Sequence, residues 1–321
     1  MKLNIEQIKN ITFGAERIIE TENGILFRRM TEKTETGFSE YREVFRTRSQ
    51  ATAGVRFDFY TDSEYIKIAY SDVTDGGPAV FYSFDVYEND RLIYTHFDRS
   101  ETNPSGEFTV NLKKESRVRV FFPNLASPEI SSVELSDGAT IRPFEPTRSI
   151  VCYGDSITQG YYAMCPSNSY VNRISDMLDA DIRNIGVGAG HFFADAVSEF
   201  ENFSPDIITV AYGTNDWNGD RVLFEPRCEK FMERLSEVYG DKKVFIILPL
   251  WRRDYKEIKE KTGDFFSHCD FIRKNAEKYG FCVIDGLELM PHDEALCFGD
   301  GLHPNDAGFA HYAQNLLKYI G

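Results

Sequence analysis

The chain has 321 residues, of which 42% are hydrophobic, and a formal net charge of −15 at pH 7. This length is enough for two domains with separate cores, and the composition is typical of a soluble globular protein. The acidic excess argues against nucleic acids and anionic membranes as partners, because both are bound by basic surfaces. The sequence lacks a membrane-spanning run of ~20 apolar residues, and its first residues lack the apolar core of a signal peptide. We therefore expect a soluble, cytoplasmic protein.

Residues 1–145 are predicted to form an all-β sandwich. Short alternating or aromatic-rich runs recur between clusters of turn-forming residues, a pattern typical of sandwiches. The predicted strands are 24–29, 54–60, 65–70, 80–87, 92–97, 107–112 and 117–122. We predict no helix among them. Pro143 and Pro146 indicate an extended linker over 137–146, because each proline biases the preceding residue away from helix.

From Arg148 onward, strands are predicted to alternate with helices. The predicted strands are 149–153, 182–187, 207–212, 244–248 and 281–284. The predicted helices are 169–178, 192–201, 225–239, 255–279 and 304–319, and Gly263 leaves open a division of the fourth into two. Five strands joined by helical crossovers indicate a three-layer α/β sheet over residues 148–321.

Ser156 follows the first strand of this second half. The apolar run before it is bounded by Gly154, and the residues after it begin a helical pattern. A serine at this point lies at the carboxyl end of a strand, where open α/β sheets bind their ligands. Its hydroxyl becomes a nucleophile when a base removes the proton. The alternative is that Ser156 merely caps a helix.

Three later segments carry the groups that such a serine would need. The glycine-rich run 184–191 allows backbone N–H groups to approach a ligand closely. Asn215 follows the third strand and could provide a side-chain N–H donor for an oxyanion. Asp300 and His303 precede the last helix, at a spacing that lets the carboxylate orient the imidazole. Each residue alone is as typical of a turn or a loop, but the combination in this order is far more specific.

On these four segments the sequence resembles the SGNH/GDSL hydrolase family. Residues 154–156 match its first block, 184–190 its second, 213–216 its third and 300–304 its fifth. The resemblance covers about residues 148–320 and implies a flavodoxin-like sheet that hydrolyses esters without a metal or cofactor. It also implies a catalytic triad of Ser156, His303 and Asp300.

The resemblance further implies an oxyanion hole. Its donors would be the Ser156 N–H, a backbone N–H of the second block and the Asn215 side chain. By spacing, Ala189 stands where the family usually has its donating glycine, with Gly188 beside it. Both Gly188 and Ala189 are therefore candidate donors.

Several residues near these blocks are candidates for substrate contact. Aromatic rings suit the faces of sugar rings, although each aromatic residue could simply be packed in a core. The candidates are Asp155, Tyr161, His191, Trp217 and Trp251.

The front half resembles, by strand pattern and order, the β-sandwich modules that precede the SGNH domain in certain carbohydrate esterases. A similar arrangement occurs in acyltransferase-type members of antibiotic pathways. The expected function is therefore a serine esterase that hydrolyses short-chain, acetyl esters, with an O-acetylated carbohydrate as the substrate class. An acyltransferase with the same triad and a non-catalytic carbohydrate-binding protein are the alternatives, and a homo-oligomer is left open.

The front half is expected to act on substrate choice and not on the chemical step, because all four blocks lie after residue 148. We expect it to pack against the hydrolase domain and to shape one wall of the cleft. On this hypothesis a fragment beginning near Thr147 would still cleave a small aryl acetate.

Overall fold

A computed structural model describes residues 1–77, 81–113 and 115–321 of the chain. Its first part contains two antiparallel sheets, and its second part contains one parallel five-stranded sheet. The strands of the first part are β1 (Thr12–Phe13), β2 (Arg17–Glu20), β3 (Ile25–Arg28), β4 (Arg56–Thr61), β5 (Tyr65–Asp75), β6 (Tyr82–Glu88), β7 (Arg91–Asp98), β8 (Gly106–Asn111), β9 (Ser116–Phe121), β10 (Ala126–Leu135) and β11 (Ile141–Pro143). The predicted strand 80–87 begins at Val80, which lies outside the described residues.

The two antiparallel sheets form the predicted sandwich. One sheet has the order β1-β4-β9-β6-β7, with β11 also paired to β4, and the other has the order β2-β3-β10-β5-β8. Side chains alternate along a strand, so that Phe57 and Phe59 of β4 enter the core between the sheets. Arg56 and Asp58, which point to the opposite face of the strand, are also buried, because the second part of the chain covers that face.

Three helices interrupt the first part, so the prediction of no helix there is wrong. They are α1 (Ile5–Ile11), α2 (Glu32–Tyr41) and α3 (Glu43–Gln50). Only Phe38 of α2 and Phe45 of α3 bury large apolar side chains, and charged residues surround both in the sequence. Tertiary packing of these two rings, and not a continuous apolar stripe, stabilises the helices.

The parallel sheet consists of β12 (Arg148–Gly154), β13 (Ala180–Gly186), β14 (Ile207–Ala211), β15 (Lys243–Ile247) and β18 (Cys282–Ile284). Its order, β13-β12-β14-β15-β18, is the flavodoxin-like arrangement 2-1-3-4-5. The helices that accompany it are α4 (Ser156–Gln159), α5 (Tyr170–Met177), α6 (Thr214–Trp217), α7 (Arg221–Tyr239), α8 (Phe265–Glu277) and α9 (Asp306–Ile320). Short 3-10 turns lie at Pro166–Asn168, Ala194–Ala196, Gly286–Glu288 and Glu294–Leu296.

Two apolar cores cover the two faces of this sheet. Ile150 and Cys152 of β12 share one core with the helices α5 and α9. Val151 and Tyr153 share the other with α7 and α8. The alternation follows from the pleat of the strand, and it produces the predicted three layers.

Two of the predicted helices differ in the structure. Residues 192–201 form a loop with one 3-10 turn, because α2 packs there and Phe38 contacts Phe193 with their ring centroids 5.0 Å apart. Residues 255–279 divide near Gly263, as the glycine suggested, into the short hairpin β16 (Ile258–Lys259) and β17 (Gly263–Asp264) followed by α8.

The front and rear parts join through both apolar and polar contacts. Phe38 and Phe45 belong to the same buried cluster as Val187 and Phe192 beside the parallel sheet. The Arg56 guanidinium donates to the Ser175 hydroxyl at 2.6 Å. Within the described part of the chain, no helix has the length and apolar character needed to span a membrane.

Candidate active site

Ser156 lies on a sharp turn between β12 and α4. It is the first residue of α4, and the Asp155 carboxylate caps the helix by accepting the Ile157 N–H at 2.9 Å. A β-carbon on Gly154 would come within 2.0 Å of the Thr158 hydroxyl oxygen, so this turn requires glycine. The turn presents Ser156 at the carboxyl edge of the sheet.

The structure brings Ser156, His303 and Asp300 into one hydrogen-bonded chain. Ser156 Oγ lies 2.7 Å from His303 Nε2, and His303 Nδ1 lies 2.6 Å from Asp300 Oδ2. The other oxygen of Asp300 accepts the backbone N–H groups of Leu302 and His303 at 2.9 and 3.0 Å. The carboxylate is therefore fixed by its own loop, and it orients the imidazole so that the second ring nitrogen faces the serine.

The electrostatics of Asp300 favour its ionised form. Partial burial alone would raise the pKa of this carboxyl, but the hydrogen bonds from the His303 side chain and from the two backbone N–H groups outweigh it. The net result is a pKa below the ordinary value for aspartate. A negative charge beside His303 stabilises the imidazolium that forms when the serine loses its proton.

The oxyanion loop, which we define as residues 186–190, restricts the choice of backbone donor. The Gly188 N–H donates to Gln159 Oε1 at 2.7 Å, which corrects the prediction that Gly188 is a candidate donor. The N–H groups of Val187 and Gly190 donate to backbone carbonyls. The Gly186 N–H donates to Asn184 Oδ1 at 2.9 Å. Of the five N–H groups in this described loop, the Ala189 N–H is therefore the one left for a ligand, and Ala189 has a left-handed backbone with φ of +60°.

Asn215 lies on α6 beside the same loop. Its side-chain Nδ2 donates to the Gly190 carbonyl at 3.0 Å. An amide nitrogen carries two hydrogens, so one remains for a ligand. Its first hydrogen bond thus fixes the amide against the oxyanion loop.

Trp217 and Trp251, both predicted to contact substrate, are core residues in the structure. Trp217 is fully buried, and its indole N–H donates to the Gly263 carbonyl at 3.2 Å. Trp251 is buried and stacks on His292, with 6.0 Å between the ring centroids. We therefore withdraw both from the set of substrate contacts, since each indole is covered by other parts of the chain.

The remaining three candidates have different environments. Asp155 is buried beneath the serine turn as a helix cap. Tyr161 is buried with its ring centroid 6.0 Å from that of His303. His191 is half-buried, and its Nδ1 lies 3.2 Å from Asp216 Oδ1 at the wall of a cavity of about 420 Å³. Asp155 lines only a small cavity of about 10 Å³, so the cavity beside His191 is the larger of the two.

A second cavity, of about 210 Å³, is lined by a neighbour of His303, although His303 itself is not part of the lining. Tyr162 and Phe298 line it, their rings are stacked 4.0 Å apart, and the Tyr162 ring meets that of His303 edge-on at 5.1 Å. The front part of the chain supplies the opposite wall. The complete lining is Phe81, Tyr82, Ser83, Pro123, Asn124, Leu125, Tyr162, Ala163, Met164, Pro166 and Phe298.

Sequence reasoning missed this cavity. Its front wall comes from residues that looked like ordinary strand and turn positions, and no motif marks them. The one available signal is the aromatic density around Phe81 and Tyr82, which is equally typical of a sandwich core. Tyr82 is indeed buried, but its neighbour Phe81 faces the cavity and stacks on Phe97.

The fold has relatives among solved structures. A salicylyl-acyltransferase from a tetracycline biosynthetic pathway matches with a TM-score of 0.79 and 20% identity, over 96% of this chain and 93% of that one. A family two carbohydrate esterase from Clostridium thermocellum, solved with cellohexaose, matches with a TM-score of 0.68 and 13% identity, over 96% and 98%. An acetyl xylan esterase from Butyrivibrio proteoclasticus matches with a TM-score of 0.58 and 16% identity, over 83% and 88%.

At these identities the structural matches establish the shared fold: a front β-sandwich followed by a parallel α/β domain. The comparison with curated proteins finds no match. Among family profiles, that of the GDSL-like lipases and acylhydrolases matches residues 152–311, which include Ser156, Asn215, Asp300 and His303. The chain belongs to the GDSL-like lipase/acylhydrolase family.

Proposed function

We propose that this protein is a serine esterase that removes short acyl groups, in particular acetyl, from hydroxyl groups of a carbohydrate. The observation that carries the proposal is the Ser156–His303–Asp300 chain, with heavy-atom distances of 2.7 and 2.6 Å. These are distances over which a base takes the proton of a nucleophile.

The reaction begins with the transfer of the Ser156 hydroxyl proton to His303 Nε2 as Oγ attacks the ester carbonyl. The oxyanion accepts hydrogen bonds from the N–H groups of Ser156 and Ala189 and from Asn215 Nδ2. When the tetrahedral intermediate collapses, His303 returns the proton to the leaving alcohol oxygen. A water molecule then attacks the acyl-enzyme, with His303 again as the base.

The cavity lined by Tyr162 and Phe298 supports the assignment of the alcohol part of the ester. His303 protonates the leaving oxygen, so the group attached to that oxygen must lie on the His303 side. Tyr162, whose ring contacts that of His303, is one wall of this cavity. The walls are mostly apolar and aromatic, with Ser83 and Asn124 as polar groups. Such walls suit the faces of a sugar ring, with a few polar groups to orient its hydroxyls. The carbohydrate and acetyl esterases among the structural relatives support the same substrate class.

The direct test compares the wild type with Ser156→Ala on an aryl acetate. The wild type should turn it over, and the folded variant should lose essentially all activity, because the hydroxyl is the nucleophile. Substantial turnover by folded Ser156→Ala contradicts the mechanism. Acetylated sugars should then be better substrates than aryl esters of longer acids. A rate that rises steadily from acetyl to octanoyl esters would contradict this substrate class and indicate lipid esters instead.

Acyl transfer to an alcohol is the second candidate. Two observations favour it: the likeness to the salicylyl-acyltransferase along nearly the whole chain, and the apolar cavity lined by Tyr162 and Phe298, which has room for an acceptor. The two activities share the acyl-enzyme and differ in what attacks it. Product analysis with and without an acceptor alcohol separates them, since transfer yields a new ester and hydrolysis yields the free acid.

A further inference from the structure

The oxyanion loop is held in place by an arginine of the front part of the chain. Arg48 lies on α3, and its guanidinium donates to the Gly188 carbonyl oxygen at 2.7 Å. The two residues are 140 positions apart in the sequence. No sequence motif of the second half predicts this contact.

The Gly188 carbonyl and the Ala189 N–H belong to the same peptide group. The peptide is planar and trans, so its N–H points in the direction opposite to its C=O. An arginine that fixes the carbonyl therefore also fixes the N–H, which faces away from Arg48. This is the N–H that the hydrogen-bonding pattern of the loop leaves for an oxyanion.

The peptide group on the other side of Gly188 is fixed as well. The Gly188 N–H donates to Gln159 Oε1, and Gln159 Nε2 donates in turn to the carbonyls of Gly76 and Asn124, at 2.9 and 3.3 Å. Gln159 is fully buried, and both of its carbonyl acceptors belong to the front part. With the preceding peptide fixed, Arg48 determines the orientation of the Gly188–Ala189 peptide.

Ala189 needs such support because its conformation is unfavourable by itself. In the left-handed region a β-carbon comes too close to the following carbonyl oxygen, so the conformation is unfavourable for alanine. Such conformations persist where the surroundings impose them, and they cluster at functional sites. A charged donor on the carbonyl also polarises the peptide, which strengthens the hydrogen bond that its N–H can donate.

We propose that Arg48 is a positioning residue for the oxyanion hole: it orients the Gly188–Ala189 peptide so that the Ala189 N–H meets the developing oxyanion. The inference rests on the proposed ester hydrolysis. It makes the front part a contributor to the chemical step, which differs from the sequence-based expectation that this part acts on substrate choice alone.

The test measures aryl acetate hydrolysis by Arg48→Ala, Arg48→Lys and the control Arg46→Ala. Arg46 lies on the same helix and is exposed, and its guanidinium pairs with Glu43 at 2.7 Å without reaching the loop. We expect Arg48→Ala to lower kcat by about 10- to 10²-fold and to change KM by less than about threefold. The reason is that the misplaced Ala189 N–H weakens a hydrogen bond that is made to the oxyanion in the transition state and not to the bound substrate. Arg48→Lys should recover part of the rate, and Arg46→Ala should match the wild type.

Two further readouts separate positioning from general damage. A boronic acid that forms a tetrahedral adduct with Ser156 should bind Arg48→Ala more weakly, by about the factor by which kcat/KM falls. The acidic limb of the pH profile of kcat/KM, which reports the base, should stay in place. If Arg48→Ala does not fold, Arg48→Met keeps the aliphatic stem, removes the donors and takes its place in each measurement.

A folded Arg48→Ala with kcat within twofold of the wild type overturns the inference. So does a loss confined to KM, or a shifted acidic limb, since either would mean that Arg48 acts on substrate binding or on the base. An inactive wild type would be a different result, because it contradicts the proposed function itself.

Discussion

Asp155 is adjacent to the proposed nucleophile, yet its carboxyl group is buried. Burial raises its pKa to about 7, the nearby Asp216 carboxylate adds to the effect, and the hydrogen bond from the Ile157 N–H opposes it. An unfolded aspartate has a pKa of about 4. Between these two values the native state holds a proton that the unfolded chain has lost, so the free energy of unfolding falls as the pH rises through this window.

Asp155→Asn should remove this pH-dependent decrease in the free energy of unfolding. Asparagine keeps the oxygen that caps α4 and carries no charge at any pH. We expect the Tm of the variant relative to the wild type to increase as the pH is raised from 4 to about 7, and to level off above. A difference that is the same at every pH in a thermal-melt series would contradict the raised pKa.

Asn215→Ala should lower kcat by about 10²–10³-fold with little change in KM, because its donor acts mainly on the developing oxyanion. The kinetic constants for an aryl acetate test this. An effect confined to KM would reassign Asn215 to ground-state binding of the substrate.

At the scale of single residues, sequence reasoning identified groups whose chemistry depends on short spacings. Asp300 and His303 are three positions apart, and Ser156 and Asn215 each follow a predicted strand, so a parallel sheet brings all four to one edge. The prediction of substrate contact was wrong for Trp217 and Trp251, because the position of a residue in a loop does not reveal whether its side chain is buried. Arg48 carries no signal in the sequence, since its partner is 140 positions away.

At the scale of elements, the oxyanion loop combines three glycines with Ala189 at its most constrained position. Glycine adopts a positive φ without steric cost. Ala189→Gly should therefore raise the free energy of unfolding by up to about 1 kcal/mol, despite the greater freedom of the unfolded chain. Ala189→Val should lower it, because a β-branched side chain tolerates this conformation poorly.

Denaturant titration of the two variants measures these changes. Activity should persist in folded Ala189→Gly, because the donor is a backbone group. A lower stability for glycine than for alanine would show that the loop imposes no strain on Ala189.

The elements that the sequence predicted well are those with strong local patterns. The five strands of the parallel sheet and the helices α5, α7 and α9 agree with the structure to within a few residues. The helices α2 and α3 were missed, and residues 192–201 were wrongly predicted as helical. These two errors have one cause: α2 packs on the region around Phe193, and a contact between distant segments leaves no local periodicity.

At the scale of the whole molecule, the two parts share a core. Phe38 is fully buried, with its ring centroid 6.1 Å from that of Phe45 and 5.0 Å from that of Phe193. Removal of the front part would uncover the sheet beside Val187 and remove Arg48 from the oxyanion loop. We therefore no longer expect a fragment beginning near Thr147 to keep its activity on a small ester.

Phe38→Ala should destabilise both parts together by about 3–5 kcal/mol, because it leaves a cavity at their junction. Both tryptophans, Trp217 and Trp251, lie in the rear part, so their fluorescence reports on that part alone. The fluorescence transition in denaturant should shift by the same amount as the circular dichroism transition. Leu92→Ala, at an exposed position on β7, is the matched control and should change little.

Two separate transitions, with only the front one shifted by Phe38→Ala, would show that the parts unfold independently. The shared core predicts instead a single cooperative transition for the whole chain.

The burial of Arg29 has a consequence for the order of folding. This guanidinium is fully buried, with hydrogen bonds to the carbonyls of Ala51, Asn184, Gly186 and Arg48. Burial lowers its pKa to about 9, so it still enters the junction as a cation at neutral pH. Two of its four acceptors lie in the front part and two at the end of β13, so neither part alone can replace the water that Arg29 gives up. Docking of the two parts is then favourable only once both are largely formed, so we expect the barrier to folding to be late. If the junction is already structured at that barrier, substitution of Arg29 should mainly slow folding and leave the unfolding rate nearly unchanged.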